Sequence, residues 1–87
     1  MTVEYINKLP DSAIELVEYN WFEFALGKYY FDYNTHRIIM RTRDNRFKLV
    51  NVKSGKITLR DIDGIGRTWS LKNFVREMLK RIGEKDE

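Results

Sequence analysis

The chain has no cysteine, so no disulfide framework and no thiolate metal site can form. That absence fits a cytoplasmic location. Histidine occurs once, as His36, without the partners that a metal site or a nucleophilic triad requires. No two carboxylates stand in a catalytic context. Asp61 and Asp63 beside a glycine match the needs of a turn. The reading is therefore of a protein that is not an enzyme, with no metal and no cofactor. No apolar run approaches the ~20 residues of a membrane span, so no membrane partner is expected. The amino terminus lacks the basic and apolar regions of a signal peptide. The single proline, Pro10, leaves the rest of the chain open to regular structure.

What is present is a modest apolar complement and an uneven charge. Hydrophobic residues make up 43% and aromatics 14%, enough for one core and too many for a disordered chain. Residues 1–87 are expected to form a single small domain. Residues 1–27 hold Lys8 against five acids, a net −4, while residues 28–87 hold fifteen bases and eight acids, a net +7. The net charge of +3 thus hides an acidic amino-terminal third and a basic remainder.

The basic charge is densest in residues 36–62. From Arg37 to Arg60, eight cations (Arg37, Arg41, Arg43, Arg46, Lys48, Lys53, Lys56 and Arg60) accompany one acid, Asp44. They alternate with apolar residues. Ile38 and Met40, then Phe47 and Leu49, then Ile57 and Leu59 mark three half-buried strands with period 2. A two-residue Asp44-Asn45 turn predicts Arg41 opposite Lys48 and Met40 opposite Leu49. A three-residue loop over 53–55, with Gly55 left-handed, brings the third strand into the same ladder. Arg41, Lys48 and Arg60 then run straight across one open face. Like charges so placed repel by about 0.2–1 kcal/mol per pair, and a polyanion relieves them.

The flanking segments complete an α+β plan. Ser12 and Glu15 suit a capping box, and Ile14, Val17 and Trp21 follow at helical spacing, so a short amino-terminal helix ending near Asn20 is expected. Phe22, Phe24 and Leu26 alternate as a strand. Residues 29–33 are read as a short strand or an extended approach to the sheet, and Asp63-Gly64 is expected to turn into a short return strand over 66–69. Ser70 is positioned to cap a helix whose stripe is Leu71, Phe74, Val75, Met78, Leu79 and Ile82. Gly83 is expected to stop it, leaving residues 84–87 frayed. Glu77 and Arg81 offer one favourable i, i+4 pair. The expected fold is a three- to four-stranded antiparallel sheet packed on this helix, with Trp21 and Trp69 in the core. Tyr29, Tyr30, Phe31 and Tyr33 are assigned to core and edge packing.

The order of elements, with Trp21, Tyr30-Phe31-Asp32-Tyr33, Arg37-Ile38 and Gly55-Lys56, then Arg67-Thr68-Trp69-Ser70-Leu71-Lys72-Asn73-Phe74-Val75, resembles a known family. It is similar to the modular DNA-binding domains found beside HNH homing endonucleases in phages and mobile elements. Those share the plan of integrase and ethylene-response-factor domains, a three-stranded antiparallel sheet backed by a helix. The resemblance covers residues 21–79. It implies duplex DNA binding. No nuclease motif is present, so it does not imply cleavage.

Nucleic acid is thus the expected partner. Arg37, Arg41, Lys48 and Arg60 lead, and Arg43, Arg46, Lys53 and Lys56 flank the turns within reach of phosphates. Lys72, Arg76 and Lys80 on the helix form a secondary set, better explained as a solvated face. Two alternatives remain open. One is an RNA-binding phage or mobile-element factor acting on a host RNA or ribonucleoprotein, with tyrosines stacking on unpaired bases. The other is an adaptor or inhibitor of a host enzyme that makes contact through Glu15, Glu18, Tyr19, Trp21, Phe22 and Glu23.

Overall fold

The structure, a computed structural model, describes residues 5–19 and 21–85, with side chains through Gly83. It is α+β, with antiparallel sheets and one carboxy-terminal helix. The main sheet has five strands in the order β1-β7-β6-β5-β2: Tyr5–Ile6, Phe47–Leu49, Arg37–Arg41, Tyr29–Asp32 and Ala13–Glu15. Two hairpins complete the fold, β3 (Glu18–Tyr19) with β4 (Phe22–Glu23) and β8 (Lys56–Arg60) with β9 (Gly66–Ser70). Helix α1 spans Leu71–Lys85. No helix among the described residues is long and apolar enough to cross a membrane.

The expected amino-terminal helix is replaced by strands. Ser12 does not act as a cap. Its hydroxyl donates to the Asp32 carboxylate, and Ala13–Glu15 pairs along β5. The buried side chains here are Leu16, Tyr19, Phe22 and Phe24, while Ile14, Val17 and Trp21 are exposed. The helical stripe therefore pointed at the wrong residues, and the β-branched and aromatic content prevailed.

Asp32 organises this end of the sheet. Its carboxylate also accepts from the Asn34 amide and the Thr35 hydroxyl, each at 2.9 Å, and its carbonyl accepts from the His36 amide at 2.8 Å. These bonds shape the four-residue loop that joins β5 to β6. His36 closes it in a left-handed conformation, φ 58°.

Between β6 and β7 the register is one residue away from the expected one. Met40 faces Lys48, Ile39 faces Leu49 and Arg41 faces Phe47. A two-residue turn of the favoured kind needs positive φ at both Asp44 and Asn45. Only Asn45 has it, at 62°, so Arg43 joins the loop and Thr42 closes it on Arg46. The slip moves Lys48 to the face shared by Met40 and sets Leu49 and Phe47 on the opposite face. Ile39, also on that opposite face, is 1% exposed but stands outside the main core cluster.

The third expected strand forms but leaves the ladder. β1 already occupies the edge of β7, with Tyr5 opposite Lys48 and Ile6 opposite Phe47. Lys53 and Lys56 close a tight two-residue turn at Ser54 and Gly55, φ 53° and 74°, in place of the expected three-residue loop. β8 then pairs with β9, and its inward residues Ile57 and Leu59 join Phe31 and Ile38 in the core. Fully burying each such side chain contributes about 1.5–3 kcal/mol.

Helix α1 adds Phe74 and Met78 to the same core. Gly83 does not end it. A glycine stop needs a left-handed residue, and the glycines with positive φ are Gly27, Gly55 and Gly64. Residues 86 and 87 of the expected frayed tail lie outside the described residues, and 84 and 85 continue the helix. Arg81, which the spacing offered to Glu77, donates to the Glu18 carbonyl at 3.0 Å and ties the helix to β3. Trp69 packs against Tyr19, Phe22, Phe24 and Phe74 with ring centroids 4.7–6.5 Å apart. Trp21, expected in the core, is 94% exposed and sits at φ 68° in the β3–β4 turn.

Asp32 and Trp21 each lend themselves to a stability test. Burial pushes the Asp32 carboxyl up, but the bonds from Ser12, Asn34 and Thr35 prevail and hold it below its usual value. A lowered carboxylate stabilises the fold above about pH 4, and that contribution fades as pH falls through the folded-state value. Urea denaturation across acid pH should show this loss. Asp32→Ala should lower stability at neutral pH by about 2–3 kcal/mol and flatten the acid limb. Trp21→Gly should keep the fold and, by releasing left-handed strain, raise its stability by about 1 kcal/mol in the same assay.

Candidate nucleic-acid interface

The departure of β8 from the main sheet opens a cleft of about 880 Å³ between it and the β5-β6-β7 region. Six of the eight cations singled out from the sequence line it: Arg41, Arg43, Lys48, Lys53, Lys56 and Arg60. Lys28 is the seventh basic residue in the lining, and no carboxylate occurs among the described lining residues. Met40, Leu49, Val50 and Val52 provide apolar surface between the charges.

The backbone sets each position. Arg41 ends β6, and its amide donates to the Lys28 carbonyl at 2.8 Å, so these two cations stand side by side. Gly27 precedes them at φ 72°, and a Cβ there would lie 3.4 Å from Arg41 Nη2. Glycine thus supplies both the turn and room for the guanidinium. Lys53 and Lys56 exchange backbone hydrogen bonds of 2.9 and 3.0 Å around their tight turn. Both ammonium groups are thereby carried on one rigid corner.

Tyr29 joins the two walls. Its side chain is 3% exposed, and its hydroxyl accepts from the Arg60 amide at 3.1 Å. Burial raises the Tyr29 pKa, against the opposing pull of the Arg60 amide and guanidinium. Lys28 Nζ lies 5.4 Å from the centre of the same ring, within cation–π range. One tyrosine therefore touches the lysine that precedes β5 and the backbone at the end of β8.

The remaining candidates lie elsewhere. Arg37 is half-buried on β6, with its Nε enclosed and lacking a hydrogen-bond partner. Arg46 lies 4.0 Å over the Tyr5 ring and supports the β1–β7 edge. Neither lines the cleft, nor do Lys72, Arg76 and Lys80 of α1. Arg76 donates to its helical neighbour Asn73 at 3.0 Å. The straight ladder expected of Arg41, Lys48 and Arg60 is not formed, because Arg41 faces Phe47 and β8 has left the sheet. The three meet around a cavity instead of on a plane.

The acids of this region serve loops. Asp44, the one acid in the basic stretch, accepts from the Thr42 hydroxyl, which holds its carboxyl below the usual range against a slight opposing desolvation. Asp61 accepts from the amides of Asp63 and Ile65, each at 2.9 Å, and so builds the β8–β9 turn. Among the described residues, no group of three histidine, cysteine, aspartate or glutamate side chains is placed to hold a metal ion.

Lys28 and Tyr29 are the site residues that sequence reasoning missed. Gly27 was the available signal, since a turn there makes Lys28 the residue that leads into a strand facing the basic end of β6. No protein-family model, curated protein or solved structure matches this chain.

Tyr29→Phe should leave the Arg60 amide without its acceptor and lower stability by about 1 kcal/mol in chemical denaturation. Hydrogen exchange should show the loss localised at the Arg60 end of β8.

Proposed function

We propose that this chain is a small non-enzymatic nucleic-acid-binding protein that holds a phosphate backbone in its basic cleft. One observation carries the reading: seven cations converge on a single cavity whose described lining contains no acid. Unneutralised like charges raise the local potential, and a cleft with low-dielectric walls focuses it. A nucleic acid releases condensed counterions on filling such a site, which supplies affinity without any base contact. Arginine offers bidentate contact to phosphate or guanine edges, and lysine a mobile point charge.

Duplex DNA is the favoured ligand, because the sequence resembles the DNA-binding modules found beside HNH homing endonucleases. RNA is the second reading, supported by Tyr33, which stands 43% exposed at the start of the β5–β6 loop and can stack on an unpaired base. Competition among duplex DNA, single strands and structured RNA separates the two.

The test is binding measured over a range of salt. The parent should weaken steeply as salt rises. Arg41→Ala, Lys48→Ala and Arg60→Ala together should lower affinity at low salt and reduce the log–log salt slope by about 2–3, since each phosphate no longer neutralised removes about 0.9. Arg37→Ala and Arg46→Ala, which lie outside the cleft, should leave the slope unchanged. A triple variant that binds like the parent would refute the proposal.

A further inference from the structure

The β3–β4 hairpin has a character opposite to that of the cleft. At its turn Trp21 stands 94% in water, in a left-handed conformation that bulky side chains rarely adopt. Glu18 and Glu23 face each other directly across the two strands, and both are exposed. Carboxylates in that register repel each other, and they repel phosphate too. The hairpin therefore carries an exposed indole at its turn and two opposed carboxylates on its strands. Its natural counterpart is an apolar surface rimmed by cations.

The chain contains such a surface. Met40 and Val50 line the cleft together with Lys48, Lys56 and Arg60. We propose that the acidic tryptophan hairpin of one copy seats in the basic cleft of a second copy, with the indole on the apolar lining and Glu18 and Glu23 against the cations. Tryptophan is the side chain most apt to anchor such a contact, and the charges supply its register and its salt sensitivity. The contact joins unlike surfaces. Each complex therefore keeps one free hairpin and one free cleft, and association is open-ended. A polyanion competes for the same cleft, so binding one disassembles the chain of copies. The inference uses the cleft but does not depend on which anion fills it.

Sedimentation velocity tests it. At low salt the weight-average mass should climb above the 10.5 kDa of one chain as concentration rises, and return toward it when salt is added. Trp21→Gly alone should weaken association at least tenfold. Two fuller variants give the decisive result. One carries Trp21→Gly, Glu18→Gln and Glu23→Gln, and the other Lys48→Ala and Arg60→Ala. Each should be monomeric with the circular dichroism of the parent. Mixed in equal amounts they should form a heterodimer and no larger species, because one hairpin and one cleft remain intact. A parent that stays monomeric at low salt, a hairpin variant that still self-associates, or folded variants that fail to pair would overturn the proposal. Association that persists in a parent unable to bind DNA or RNA would refute the polyanion reading and support this one.

Discussion

Whichever strand takes the outer edge of β7 decides this architecture, and β1 takes it. Two residues suffice, Tyr5 opposite Lys48 and Ile6 opposite Phe47, with the Arg46 guanidinium over the Tyr5 ring. A closed edge leaves no place for β8 in the ladder. The chain turns through residues 50–55 and lays β8 with its apolar side, Ile57 and Leu59, against the buried face of the sheet. The core, the cleft and the convergence of charge all follow from that exclusion. A strand too short to be stable alone thus directs the placement of one of the longest strands in the protein.

The electrostatic result differs in kind from a charged plane. On a plane, cations face water, and salt screens them beyond roughly 8–10 Å. Around a cavity, the same cations face one another across a volume that a ligand fills, and the ligand meets several at once. Tyr29 makes this geometry firm. Its buried ring and its bond to the Arg60 amide fix the spacing between the two walls. The acids of the basic region, Asp44 and Asp61, are occupied in holding loops, which leaves the lining positive.

Much of this was legible in the residues. Alternation located β6, β7 and β8, and the stripe from Leu71 to Ile82 located the helix, because both periods are strong over their lengths. The α+β class followed from them. Register was not legible, since it depends on whether Arg43 joins a loop, a choice made by φ at Asp44 and Asn45. Partner choice was also hidden. Nothing local to residues 5 and 6 marks them as a strand that takes an edge forty residues away. The helix expected from Ser12 failed because the serine had a distant acceptor, the Asp32 carboxylate, that no local pattern displays. Of the expected cations, Arg41, Arg43, Lys48, Lys53, Lys56 and Arg60 reached the cleft. Arg37 and Arg46 did not, being drawn to the sheet interior and to the Tyr5 ring.

The two tryptophans occupy different environments. Trp69 is partly buried against four aromatic rings, while Trp21 stands almost wholly in solvent at the turn of the hairpin that carries Glu18 and Glu23. The intrinsic emission of this protein is therefore the sum of a blue, shielded component and a red, accessible one. A neutral quencher such as acrylamide reaches Trp21 more readily than Trp69, so it resolves the components without a label. One spectrum then reads the integrity of the core and the exposure of the hairpin turn as separate signals.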